Sequence, residues 1–170
     1  MRQHPKVPMD RSAVMARVKS KNTKPEMIVR RAVFALGYRY RLHARDLPGT
    51  PDLVFRARRK VILVNGCFWH GHNCKLGDRR PKTRIAFWNA KIDQNIARDV
   101  RTSLALAQAG FTSLVVWECE IAEMEAVSRR ISAFLGDSVR TRQFKPALCA
   151  SASANQITTA PTPRRQDEMS

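Results

Sequence analysis

The stretch GCFWHGHNC, Gly66 to Cys74, gathers two thiols, two imidazoles and two large aromatic rings in one short segment. Cys67, His70, His72 and Cys74 are metal-binding side chains at close spacing, and Cys119 ends a later apolar stretch, LVVWEC. Their clustering with histidines favours a metal over disulfides in a reducing cytosol. Three thiols and one imidazole make a Cys3His set, the ligand chemistry of a closed tetrahedral structural zinc site. Spacing leaves open whether His70 or His72 is the fourth ligand. The plainer alternative is a set of ordinary buried cysteines. Bound zinc would tie the loop to a distant strand and contribute on the order of 10 kcal/mol to ordering it.

The other histidine is then free for chemistry, and carboxylates are its natural companions. Asp52 stands in GTPDLVF, at the start of a strand expected to pair with the one that leads into the metal loop. A turn-capping aspartate explains the same pattern. Asp99 falls on the face of a helix that also carries Ile92, Ile96, Ser103 and Leu106, at about 100° per residue. A carboxylate on a buried face needs a partner, and both a histidine and one of the many arginines qualify. Glu26 follows Thr23 at capping-box spacing, so its position is explained structurally before any chemistry is invoked. Phe68, Trp69 and Trp88 are large rings whose plain reading is core packing.

These side chains need an α/β frame. Thr23, Pro25 and Glu26 open a helix that carries Ile28, Val29, Ala32, Val33 and Leu36 and stops at Gly37. Strands are expected at YRYRLH, DLVFRA, KVILV and TSLVVWE, with a tight basic turn from Arg58 to Lys60. KVILV is uniformly apolar and belongs in the sheet interior. A basic loop over 75–87 leads to a helix from Trp88 to Ala109, and a last helix runs from about Glu120 to Leu135 before Gly136. The expected architecture is a mixed sheet flanked by helices. A short helix precedes Thr23 within DRSAVMARVKS. Residues 1–9 form a basic arm, 10–136 the domain, and 137–170 a low-complexity tail too poor in large apolar residues to order itself, with Cys149 a bystander.

Lys and Arg number 31 against 14 Asp and Glu, a formal charge of +17 over 170 residues. A polyanion is the natural partner. No apolar run approaches the roughly 18 residues of a membrane span, which favours nucleic acid over lipid. The first residues lack the apolar stretch and cleavage site of a secretory signal, so an intracellular protein is expected.

Taken together, SKNTKPE, LPGTPDLVF, VILVNGCFWHGHNC, TRIAFWNAKIDQNIARD and LVVWECE resemble the very short patch repair endonucleases, bacterial enzymes that nick DNA beside a T:G mismatch. The likeness runs in consistent order over about residues 10 to 135. It implies a restriction-endonuclease-like core with a mixed sheet between helices. It also implies Asp52 as the carboxylate ligand of a catalytic Mg2+, with the Val64 backbone carbonyl as a second ligand. His70 resembles the general base, Asp99 the carboxylate that orients it, and Glu26 an acidic residue that reaches the catalytic metal through water. Cys67, His72, Cys74 and Cys119 match the structural Zn2+ ligands. Phe68, Trp69 and Trp88 resemble the residues that wedge into the DNA stack.

The implied reaction is hydrolysis of one phosphodiester 5' of a thymine produced by deamination of 5-methylcytosine. The implied partners are T:G-mismatched duplex DNA and, functionally, a DNA cytosine methyltransferase and mismatch-repair proteins. The setting is the bacterial cytoplasm, at the nucleoid, with a monomer expected because one nick needs one active site. The chain departs from relatives at Val64, where a hydroxyl residue can stand, and at Asn65, where a histidine can stand. The restriction-type Asp…Glu-x-Lys pattern is absent after Asp52, as in this family. Two rivals differ in class or specificity: a non-catalytic zinc-bearing DNA-binding module, and a nuclease of the same fold with restriction or structure selectivity.

Overall fold

The computed structural model describes residues 21–138. The basic arm, the expected short helix before Thr23, and the tail from 139 onward with Cys149 lie outside the described residues.

Helix α1, Lys24–Ala35, begins as its sequence dictates. Thr23 Oγ1 accepts from the Glu26 N–H at 3.4 Å while Glu26 Oε2 accepts from the Thr23 N–H at 3.3 Å, the reciprocal capping box. Strands β1 (Arg41–Leu42), β2 (Leu53–Phe55), β3 (Lys60–Asn65) and β4 (Thr112–Trp117) form one mixed sheet in the order β1-β2-β3-β4. The first three run antiparallel to their neighbours, and β3 pairs with β4 in parallel. A parallel pair requires a crossover, here supplied by helix α2, Ile85–Gln108. Helix α3, Met124–Leu135, closes the described chain.

Alternation along the strands builds a core on each face of the sheet. Leu53, Phe55, Ile62 and Val116 pack with Val29 and Val33 of α1 and Val127, Ile131 and Leu135 of α3. Val54 and Val61 point the other way, onto Leu47, Phe111 and Leu106 of α2. Each fully buried aliphatic side chain contributes roughly 1.5–3 kcal/mol, so the two layers hold the central strand from both sides. The uniformly apolar KVILV is that central strand.

Four boundaries differ from expectation. YRYRLH yields only the two-residue β1, because Tyr38 and Tyr40 turn edge-on to Phe55, with centroids at 6.4 and 6.2 Å, and His43 leaves the ladder at φ 46°. The segment DLVFRA ends at Phe55 and continues as a 3-10 turn over Arg56–Arg58. Helix α2 starts a turn before Trp88, after Arg84 at φ 55°, so the basic loop is shorter than expected. The segment after Trp117 is first a 3-10 turn, Glu118–Glu123, held by the Trp117 N–H to Glu120 Oε2 at 2.8 Å. Ile96, expected on the buried face of α2, is 40% exposed.

Candidate active site and metal centre

The parallel β3–β4 register pairs Asn65 with Trp117. Continued by two residues it sets Cys67 opposite Cys119, and the Cys119 N–H donates to Cys67 Sγ at 3.3 Å. The loop after β3 then folds back so that the ligand atoms of Cys67, His72, Cys74 and Cys119 lie within 4.8 Å of one another. His72 Nδ1 is 3.5 Å from Cys119 Sγ, so the structure brings His72, and not His70, to the thiols. The His72 ring stacks on Trp117 with centroids 4.2 Å apart and planes at 14°, which fixes its orientation.

Cys74 Sγ accepts from the Gly77 N–H at 3.4 Å, and that bond is the main reason its thiol is lowered to about 6. Burial pushes the Cys67 thiol up to about 12. Gly77 is required here, since a Cβ would collide with the His72 carbonyl. Three soft thiols and one imidazole at this separation fit a tetrahedral metal of the zinc type.

On the same loop, His70 points away from the thiols and pairs through Nδ1 with Asp99 Oδ2. An ionised carboxylate only accepts, so Nδ1 carries the hydrogen, and in the neutral ring Nε2 is the nitrogen with the lone pair. Asp99 is one-third exposed, less buried than its helical face predicts. One turn earlier on α2, buried Asn95 donates through Nδ2 to the Trp69 carbonyl at 2.8 Å. Gly71, at φ 60°, lies close against Ile92 and Ile96 of the same helix; a Cβ there would come within 2.9 Å of Ile92 and 2.8 Å of Ile96. Helix α2 therefore supports three consecutive loop residues.

Phe68, Trp69 and Trp88 form an edge-to-face cluster with centroids 5.0, 5.7 and 6.1 Å apart. All three are half-buried and belong to neither core, and Phe87 extends the cluster at 49% exposure. Beside it, Lys75, Arg79, Arg80, Lys82 and Arg84 are exposed in the loop between the thiol cluster and α2.

A second group gathers at the edge of the sheet. The Val64 N–H donates to Asp52 Oδ2 at 2.7 Å, which sets this carboxylate beside the backbone where β3 ends. Burial raises the Asp52 pKa above the ordinary carboxylate range, partly opposed by that bond. Glu26, only 2% exposed, lies next to it, and ligand atoms of Glu26, His43 and Asp52 fall within 4.8 Å of one another. Arg30 pairs with Glu26 Oε1 and reaches His43 Nε2 at 2.8 Å. Two carboxylates and a backbone strand end offer the hard oxygen donors that Mg2+ prefers.

His43, Arg30 and Asn95 escaped the sequence reading. For His43 a signal existed: β1 pairs with β2 so that Leu42 faces Leu53, and one more step sets His43 opposite Asp52. For Arg30 and Asn95 no local pattern distinguishes them from ordinary helix residues.

A family model for the DNA mismatch endonuclease Vsr matches residues 6–76. The DNA mismatch endonuclease Vsr of Escherichia coli K12 is 33% identical over 149 residues, covering 88% of this chain and 90% of the relative. The chain belongs to the Vsr endonuclease family. The type II nicking enzyme V.XorIIP of Xanthomonas oryzae pv. oryzae is 49% identical over 131 residues, 77% of this chain and 96% of the relative. The type II nicking enzyme V.NmeAIP of Neisseria meningitidis is 40% identical over 122 residues, 72% and 86% of the two chains. As a Vsr-family member the protein is a DNA endonuclease, and its mixed α/β fold with a four-stranded sheet is consistent with a nuclease. Among the described residues, no helix is long and apolar enough to cross a membrane.

Proposed function

We propose that this Vsr-family protein nicks one strand of duplex DNA 5' of the thymine in a T:G mismatch left by deamination of 5-methylcytosine, initiating very short patch repair. The observation that carries this reading is the single loop Cys67–Cys74, which holds an oriented imidazole next to a half-exposed aromatic cluster on a metal-ligating frame. Cys67, His72, Cys74 and Cys119 would hold Zn2+, which would make that loop rigid. Phe68, Trp69 and Trp88 enter the base stack, and a wobble pair is the cheaper step to open. His70, oriented by Asp99, accepts the proton of the attacking water at Nε2.

Asp52, with the Val64 carbonyl, would hold the catalytic Mg2+, and Glu26 would reach it through water. When bound there, Mg2+ supplies Lewis-acid polarisation of the scissile phosphate and lowers the pKa of water. The exposed Lys and Arg side chains of the loop before α2 hold the phosphate backbone at a salt-dependent cost. A restriction-endonuclease-like domain over 10–136 works as a monomer on mismatched duplex at the nucleoid in the bacterial cytoplasm, between a basic arm at 1–9 and a low-complexity tail at 137–170. Its activity serves the partners of such repair, a DNA cytosine methyltransferase and mismatch-repair proteins.

A second reading is favoured by the names of two relatives, type II nicking enzymes: selectivity for a restriction-type sequence rather than for the mismatch. The catalytic assignment is tested with Asp52→Ala and His70→Ala on a T:G duplex. Both variants are expected to bind DNA and to retain zinc while nicking is lost with Asp52→Ala and falls about 10²- to 10⁴-fold with His70→Ala. Full Mg2+-dependent activity of Asp52→Ala would remove Asp52 from the metal site.

A further inference from the structure

Arg30 is a buried arginine whose guanidinium ties three parts of the chain together. Nη1 donates to Asn22 Oδ1 at 2.7 Å, and Nη2 addresses both Glu26 Oε1 and His43 Nε2. The guanidinium has no lone pair to offer, so His43 Nε2 accepts in its contact with Arg30, and the same nitrogen lies 3.2 Å from Glu26 Oε1. Asn22 and His43 both stand in the left-handed region, at φ 55° and 46°. Non-glycine residues rarely adopt it, and here both present a side-chain acceptor to the same guanidinium. The hydroxyl of Tyr40 donates to the Arg30 carbonyl at 3.1 Å, and among the described residues buried Arg30 Nε has no hydrogen-bond partner. The local structure thus sets two residues in the left-handed region and leaves one donor unsatisfied among the described residues to keep this guanidinium in place.

What it controls is the carboxylate pair. Glu26 is almost fully buried, its ligand oxygen lies within 4.8 Å of that of Asp52, and the Arg30 guanidinium is paired with it as its counter-charge. A guanidinium free to move has Asp52 as its next acceptor, because ligand atoms of Glu26, His43 and Asp52 all lie within 4.8 Å of one another. There it would occupy the place of a divalent cation. We propose that Arg30 and His43 form a positioning clamp: His43 holds the Arg30 guanidinium on Glu26 and so leaves Asp52 open to the cation. This rests on the reading of Asp52 as the catalytic metal ligand, and neither Arg30 nor His43 touches substrate in it.

The test measures Mn2+ binding to the full-length, zinc-loaded protein without DNA, by the electron paramagnetic resonance of free Mn2+, with thermal melts as the check on folding. His43→Leu removes the acceptor and is expected to weaken Mn2+ about tenfold, while His43→Gln, whose amide oxygen can still accept from Arg30, stays within about twofold of wild type. Arg30→Lys keeps the charge but cannot span Asn22, Glu26 and His43, and is expected to show the same loss of about tenfold, which decides the matter if His43→Leu does not fold. Unchanged Mn2+ affinity in a folded His43→Leu or Arg30→Lys protein would overturn the clamp. So would a His43→Gln defect equal to that of His43→Leu, which would make the imidazole itself the required group. Nicking of a T:G duplex by the wild-type protein is scored separately, so failure of the functional reading is not confused with failure of the clamp.

Discussion

Asn95 and Asp99, one helical turn apart on α2, hold successive residues of one loop: the Asn95 amide donates to the Trp69 carbonyl at 2.8 Å, and Asp99 pairs with His70 Nδ1. Trp88, on the same helix, packs on Trp69. One rigid rod therefore carries a ring of the aromatic cluster, anchors the next ring through its backbone, and sets the tautomer of the candidate base.

Asp99→Asn should be nearly isosteric yet costly. An asparagine amide can donate to Nδ1 and so favour the tautomer that places hydrogen on Nε2, removing the lone pair that takes the proton. Nicking is expected to fall about 10²- to 10⁴-fold with zinc content and melting temperature unchanged, measured in single-turnover assays on mismatched duplex.

Trp69→Ala removes a ring worth roughly 1–3 kcal/mol of stacking if it enters the duplex. Preference for T:G over matched duplex should decline by that amount, while the salt dependence of binding, set by exposed Lys and Arg, remains as before. Competition binding across a salt series reads both quantities. Equal loss on both duplexes would return Trp69 to a packing role.

Metal removal separates the two centres. Stripping the protein with a strong chelator should release one zinc and broaden the thermal transition, because zinc on the four ligands would tie the loop to the Cys119 turn, a linkage worth on the order of 10 kcal/mol. Cys74→Ser should behave like the stripped protein. Omitting Mg2+ alone should leave the melt intact and abolish nicking.

Asp52 gives a pH signature in the Mg2+-free, zinc-loaded protein. Burial raises its folded-state pKa above the unfolded value. Its contribution to stability is therefore fully present below the unfolded pKa and lost as pH rises through the elevated folded one. Asp52→Asn should raise the melting temperature above that window and leave it nearly unchanged well below. Mg2+ should stabilise only the wild type, increasingly as Asp52 ionises. Identical melting profiles for the two proteins across pH would contradict the desolvated state of this carboxylate.

Much of this frame can be read from residue pattern, because each element there has one dominant local cause. Thr23 and Glu26 declare a helix start, KVILV declares a strand covered on both faces, and the Cys and His cluster declares a set of side chains that could hold a metal. The boundaries that moved were decided by tertiary contacts. Phe55 draws in Tyr38 and Tyr40 from a segment that alternates like a strand, and Glu120 draws the chain after Trp117 into a 3-10 turn. Ile96 lies on the expected face but supports Gly71 at the rim instead of filling the core. His70 and His72 are equivalent by spacing, and only the return of the loop onto β4 separates them, setting one against Cys119 and the other against Asp99. Arg30 and His43 become partners only after the β1–β2 register and the capping of α1 are both in place.

The most direct test of the central claim is a strand-resolved cleavage assay with Mg2+ on duplexes that differ only at one position, T:G against C:G, in methyltransferase-type sequence contexts. The expected result is a single nick 5' of the mismatched thymine, no cut in the matched duplex, and no product without Mg2+. Equal nicking of the matched duplex would contradict mismatch selectivity and favour a sequence-selective nicking enzyme. Tight binding without cleavage in any context would contradict the catalytic assignment of Asp52, His70 and Asp99.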